Sequence, residues 1–183
     1  MWNSILGKPD PVSSQFLPCS WSGENLSILF LGGGGCGKTY TSLRVIKPLA
    51  EICFGPDGFA GQCPSNAGAR LFLGRTIHAA LGLSATSSLK MPNLILQGKT
   101  KTKVERIANP VGILGIDEVS QLAATLYHAD ALRYTYARAR LHNLDVRVYA
   151  DANEMFGRVP VVLLSGDFLQ LPPVAGAASE LFI

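Results

Sequence analysis

Eight consecutive residues, Gly32-Gly33-Gly34-Gly35-Cys36-Gly37-Lys38-Thr39, have the types and spacing to hold a phosphorylated ligand. They fit the pattern G-x-x-x-x-G-K-[ST] at every fixed position. Glycines let backbone N–H groups converge on a phosphate without Cβ clashes. A helix that begins at the lysine turns its positive end toward the same anion. Lys38 then reaches the outer phosphates, the Thr39 hydroxyl holds Mg²⁺, and Tyr40 follows in the same turn. A plain glycine turn beside a lysine is the simpler reading. The flanking sequence disfavours it, because the apolar run Ser27-Ile28-Leu29-Phe30-Leu31 reads as a buried strand and Tyr40-Thr41-Ser42-Leu43-Arg44-Val45-Ile46 as a helix.

Phosphate chemistry of this kind needs acid nearby. The apolar run Val111-Gly112-Ile113-Leu114-Gly115-Ile116 ends in Asp117-Glu118. Two adjacent carboxylates are costly to bury unpaired. At the carboxyl end of a parallel strand they would face a ligand crevice instead. Asp117 is then expected in the Mg²⁺ shell, and Glu118 as the base that polarises the attacking water. A helix N-terminus that favours acids is the alternative for these two residues. A third stretch, Val161-Val162-Leu163-Leu164-Ser165-Gly166-Asp167-Phe168-Leu169-Gln170, is a strand that breaks into a turn. It places Asp167 and Gln170 at a strand end, where the Gln170 amide can donate to a γ-phosphate.

The elements that must position these groups alternate. Strands are expected at 27–31, 59–63, 111–116 and 161–165, and helices at 38–52, 66–72, 76–82 and 120–141. That alternation predicts an α/β fold with a parallel sheet and helices on both faces. Ser120 is the expected cap of the last helix, with Leu122, Leu126 and Ala129 on one side of it. Lys99, Lys101, Lys103 and Arg106 form a basic patch in a stretch that reads as a loop, most simply a solvated one. Residues 1–26 are rich in Pro, Ser and Gly and read as an irregular lead-in to a domain spanning 27–183.

The whole chain has 183 residues, a formal charge of +3 and 48% hydrophobic residues, which suits one folded domain and argues against disorder. The mild positive charge is compatible with nucleic acid without demanding it. Four cysteines without a C-x-x-C pair give neither a disulfide framework nor a zinc site, so a reducing, intracellular setting is expected. No apolar run is long enough to span a bilayer, so no membrane partner is expected.

On its motifs the chain resembles the superfamily-one 5′-to-3′ DNA helicases of the petite-integration-frequency (PIF) family, relatives of the RecD helicases. The resemblance rests on G-D-F-L-Q-L-P-P-V from Gly166 and I-D-E-V-S from Ile116. It rests also on Cys63-Pro64-Ser65-Asn66-Ala67-Gly68-Ala69-Arg70 followed by Gly74-Arg75-Thr76-Ile77-His78, and on Phe156-Gly157-Arg158-Val159-Pro160. It implies a RecA-like P-loop NTPase domain that binds ATP and Mg²⁺ and works on single-stranded DNA. It gives Lys38, Glu118 and Gln170 to catalysis, Thr39 and Asp117 to the metal, and Ser65, Asn66, Thr76 and His78 to DNA contact. By the same resemblance Gln15 is the residue that would read adenine. His128 and His142 have no such support and are expected to be structural or exposed.

The resemblance further implies work in DNA repair, recombination and telomere maintenance, in the nucleus or mitochondrion if the source is eukaryotic. Cys36 and Cys63 depart from the threonine and alanine usual in the family. The family's second motor domain is expected to follow Ile183 in a longer protein. A truncated remnant that binds nucleotide or DNA without unwinding is the other reading.

Overall fold

The structure is a computed structural model that describes residues 25–83, 96–142 and 152–170. Most of the expected lead-in, with Gln15, lies outside the described residues, as do positions 171–183. Among the described residues five parallel strands form one sheet in the order β1-β5-β4-β2-β3. They are β1 (Leu26–Leu31), β2 (Phe59–Cys63), β3 (Arg75–Thr76), β4 (Ile113–Ile116) and β5 (Val161–Gly166).

β4 and β5 are buried along their whole length, as continuous apolar runs in a covered parallel sheet should be. Alternate residues serve opposite faces. Ile113 and Val161 pack with Ala50, Ile46, Phe54 and Phe59 on one face. Leu114, Ile116, Val162 and Leu164 join the larger cluster on the other, with Leu81, Val104, Leu126 and Ala129. β2 (FAGQC) is poor in apolar residues for a packing reason. Its Gly61 pairs in register with Gly115 of β4, and Phe72 lies across both. A Cβ at either glycine would fall 3.0–3.1 Å from atoms of Phe72 or Phe59.

Four expectations need correction. β1 is not a buried strand: among the described residues it pairs only with β5, and Leu26, Leu29 and Leu31 are 46%, 41% and 57% exposed. The helix after the glycine loop is not continuous. α1 (Lys38–Thr41) and α2 (Lys47–Phe54) are joined by a π turn over Ser42–Ile46. Pro48 in the first turn of α2 has no N–H for the carbonyl four residues back, which favours a local change of register there. The basic patch is helical rather than a loop. It lies on α5 (Gly98–Ala108), which is anchored by buried Val104 and Ala108 and carries a Lys101–Glu105 ion pair at 3.8 Å. Lys99, Lys103 and Arg106 remain on its solvated side.

The last helix, α6, spans Ala124–His142, so Ser120 does not cap it. Ser120 sits in a separate 3₁₀ turn (Val119–Gln121), because Leu122 is extended and breaks the run. Leu126 and Ala129 are buried on α6, while Leu122, expected on the same helix face, is buried ahead of the helix. His128 is exposed, and His142 stands 3.4 Å from the Arg138 guanidinium. The short helices α3 (Asn66–Leu71) and α4 (Ile77–Leu81) follow β2 and β3 directly.

α6 also buries charge. Arg138 is fully buried and donates to the carbonyls of Gly157, Ala108, Asn109 and Val111 at 2.7–3.1 Å. Asp130 is fully buried against Gln62 of β2. With the amide nitrogen of Gln62 facing the carboxylate, it donates to Asp130 at 2.8 Å while its oxygen accepts from the Tyr134 hydroxyl at 3.2 Å. Burial pushes the Asp130 carboxyl up to about 8. The folded state therefore keeps a proton that an unfolded aspartate loses near pH 4. The stability this group contributes is full below that pH and is lost as pH rises through about 8. Thermal melts from pH 4.5 to 8.5 should show this decline, and Asp130→Asn should flatten it. An unchanged slope in the variant would place the pH dependence elsewhere.

Candidate functional site

Parallel pairing brings the carboxyl ends of β1, β5 and β4 side by side. Leu31 pairs with Gly166 and Ile116 with Leu164. The loops that start at Gly32, Asp117 and Asp167 therefore leave the same edge of the sheet, where open α/β folds hold ligands.

The glycine loop turns through backbone angles that favour glycine. Gly35 has φ 77° and Gly37 φ 91°. Gly32 N–H donates to the Gly166 carbonyl at 3.4 Å, which ties the loop to β5. Lys38 Nζ lies along the loop, donating to the carbonyls of Gly32 and, at 3.0 Å, Gly33. The Cys36 thiol turns back under the loop, 2.7 Å from where a Cβ on Gly32 would stand and 3.7 Å from Lys38 Nζ. Gly33, Gly34 and Gly35 are exposed, and Tyr40 is 69% exposed beside them.

Asp117 is the centre of the polar contacts. Its Oδ1 accepts from the Ser165 hydroxyl at 2.6 Å and from the Glu118 N–H at 3.0 Å. Its Oδ2 accepts from the Thr39 hydroxyl at 3.1 Å, across 78 positions of sequence. Glu118 is held in the left-handed region, φ 59°, where a non-glycine residue is uncommon. Gln121 Nε2 donates to its Oε2 at 3.4 Å. Burial and then the Asp117 charge push the Glu118 carboxyl above the usual range, Lys38 pulls it back, and Asp167 adds to the rise.

Asp167 is buried and accepts the Leu169 N–H at 3.0 Å, which closes the turn after β5. That turn carries Gln170 to the loop, its Nε2 3.7 Å from the position of a Cβ on Gly34. The fold thus brings together the loop from Gly32 to Thr39, Asp117, Glu118 and Gln170. Such a set can bind a phosphate chain through N–H groups and an ammonium. It can hold a hard cation between two oxygens and offer a carboxylate base to water.

The other four expected residues stand apart from this cluster, after β2 and β3 at the far side of β4. The Ser65 hydroxyl caps α3, accepting from Gly68 N–H at 3.0 Å. The Thr76 hydroxyl caps α4, accepting from Ala79 N–H at 3.2 Å. Both hydroxyls are thus engaged in their own helices. Asn66 is exposed and His78 half-exposed. Two residues of the acid cluster, Ser165 and Gln121, had not been expected. The available signal for Ser165 was a hydroxyl closing the otherwise aliphatic run V-V-L-L-S. Among the described residues no helix is long and apolar enough to cross a membrane.

Comparison with known proteins gives a consistent result. The profile of the PIF1-like helicase family matches residues 14–182. A Pif1 ATP-dependent DNA helicase from Bdellovibrio bacteriovorus is 28% identical over 165 residues, covering 90% of this chain and 33% of the relative. The ATP-dependent DNA helicase PIF7 of Trypanosoma brucei brucei is 30% identical over 152 residues, covering 81% of this chain and 13% of the relative. The crystal structure of Pif1 helicase from Candida albicans superposes with a TM-score of 0.60 at 26% identity, covering 82% of this chain and 31% of that one. The fold is therefore that of a RecA-like P-loop NTPase. The chain spans between 13% and 33% of the length of the curated relatives it matches.

The contacts around Glu118 make a titration prediction that needs no ligand. In a ¹³C-carboxyl NMR titration, Glu118 should lose its proton at higher pH than an exposed glutamate. Asp117→Asn should lower that midpoint, and Lys38→Ala should raise it further. A midpoint indifferent to both changes would separate Glu118 from these two charges.

Proposed function

Because the chain belongs to the PIF1-like helicase family, we propose that it is the ATP-binding motor domain, residues 27–183, of a DNA helicase. The observation that carries this reading is the 3.1 Å contact between the Thr39 hydroxyl and Asp117 Oδ2. It joins the glycine loop to the acid strand at the point where a nucleotide's outer phosphates would lie. Two hard oxygens so close also fit Mg²⁺, so Thr39 and Asp117 would hold it. When bound, Mg²⁺ offsets charge on the β- and γ-phosphates.

The chain's own residues do the rest. Backbone N–H groups from Gly33 to Lys38 cradle the phosphates. Lys38 exchanges the carbonyls of Gly32 and Gly33 for phosphate oxygens. Glu118 takes the proton of the attacking water as its oxygen bonds to the γ-phosphorus and the bond to the leaving ADP oxygen breaks. Its raised affinity for a proton suits that task, and Gln121 fixes its direction. Gln170 donates its amide to the γ-phosphate and so distinguishes ATP from ADP. Single-stranded DNA crosses the starts of α3 and α4, where N–H groups, Asn66 and His78 meet its phosphates without reading sequence. A second motor domain in the full-length protein closes over nucleotide and DNA, and hydrolysis releases it. The setting is intracellular, the nucleus or mitochondrion if the source is eukaryotic.

Calorimetry should show Mg²⁺–ATP binding that Lys38→Ala abolishes. In the full-length protein Glu118→Gln should keep nucleotide affinity while turnover falls by about 10²-fold or more, the scale of a lost general base. Equal loss of affinity and turnover would make Glu118 structural.

A separate measurement addresses DNA. Affinity for an unstructured oligonucleotide should fall as salt rises. Asn66→Ala with His78→Ala should weaken it further while ATP binding persists. These two side chains are chosen because Ser65 and Thr76 also cap helices. Undiminished DNA affinity in the double variant would move the strand's path elsewhere.

A further inference from the structure

We infer that Ser165 is a positioning residue that fixes the rotation of the Asp117 carboxylate so that its second oxygen faces Thr39, and thereby sets how strongly Mg²⁺ tightens nucleotide binding. The inference rests on the nucleotide reading of this site and goes beyond it, to a residue outside the glycine loop and the acid pair.

Ser165 is fully buried on β5, the strand that lies between β1 and β4. It pairs in register with Phe30 of β1, while its neighbour Leu164 pairs with Ile116 of β4. Its hydroxyl is thus carried between the strand that leads into the glycine loop and the strand that ends in acid. An ionised carboxylate only accepts, so the 2.6 Å contact is Ser165 donating to Asp117 Oδ1. Glu118 N–H donates to the same oxygen at 3.0 Å. With both donors on Oδ1, the carboxylate is pinned in rotation and Oδ2 is left turned to Thr39. The backbone donor alone cannot do this as well, since Glu118 belongs to the same turn and moves with Asp117.

The next residue keeps Ser165 in register. A Cβ on Gly166 would stand 2.9 Å from Val119 Cγ2, so the end of β5 is in close contact with the turn that follows Glu118. Asp117 itself is buried, and a buried carboxylate deprived of a donor reorients toward whatever donor remains. Loss of the Ser165 hydroxyl should therefore release the Oδ2 orientation without touching the phosphate-binding N–H groups or Lys38.

The test compares Ser165→Thr with Ser165→Val, which differ by a hydroxyl against a methyl and share any crowding in the strand; Ser165→Ala adds a variant without crowding. Affinity for a fluorescent ATP analogue is measured in EDTA and across a Mg²⁺ titration. In the Val and Ala variants the Mg²⁺ concentration for half-maximal tightening should rise about tenfold or more, the scale of one hydrogen bond to a charged group. Affinity in EDTA should stay within about twofold, on the same reasoning that the phosphate contacts are untouched. Ser165→Thr should track the wild type. Equal shifts in Thr and Val would reduce Ser165 to packing and overturn the inference, as would wild-type behaviour in all three. A wild-type chain that binds the analogue without any effect of Mg²⁺ would also overturn it, leaving nucleotide binding intact. A wild-type chain that binds no nucleotide would instead overturn the reading of the site on which the inference stands.

Discussion

A carboxylate taken out of water must be surrounded by donors, and Asp117 meets that condition with groups from three stretches of chain. The Thr39 hydroxyl comes from the loop after β1, the Ser165 hydroxyl from β5, and the N–H of Glu118 from the turn after β4. Each donor is useful only if its strand ends at the right height. The parallel register supplies that, with Leu31 beside Gly166 and Leu164 beside Ile116. Glycine loop, acid pair and β5 are therefore joined through Asp117, while a second buried acid, Asp167, closes the glutamine turn.

The opposite end of the sheet is held by a charge of the other sign. The Arg138 guanidinium binds the carbonyls of Ala108, Asn109 and Val111 just before β4, and of Gly157 just before β5. These are the approaches to the two strands whose far ends carry Asp117 and Ser165. A rigid fork of donors fits converging carbonyls better than a lysine would. Between the two ends, Gly61 and Gly115 let Phe72 lie close on the sheet, and Phe59 meets it with ring centroids 6.0 Å apart. Small residues there are needed for contact, although they weaken the strand pattern in the sequence.

The edge of the sheet differs in kind. β1 pairs only with β5 among the described residues and leaves three leucines, Leu26, Leu29 and Leu31, substantially exposed, whereas β4 and β5 are buried along their whole length.

The sequence by itself determined the class of fold and marked the residues that the fold brings together. Glycine spacing, a lysine and hydroxyl at fixed offsets, and acids at the end of an aliphatic run are local patterns, and each arises from contacts within a few residues. The alternation of strand and helix was legible for the same reason. Strand order was not, because pairing depends on loop paths between distant segments: nothing in 26–31 marks it as an edge. The helix at 98–108 was hidden by its lysines, since two buried side chains, Val104 and Ala108, suffice to dock it once α6 is in place. The long helix lost its expected cap because Leu122 is drawn into the core in an extended conformation. The caps by Ser65 and Thr76 and the Gln121–Glu118 contact each join residues three apart, whereas only the tertiary structure decided that Ser165 aims at Asp117, 48 positions away. A side chain's partner is fixed by where other strands end, and that information is spread over the whole chain.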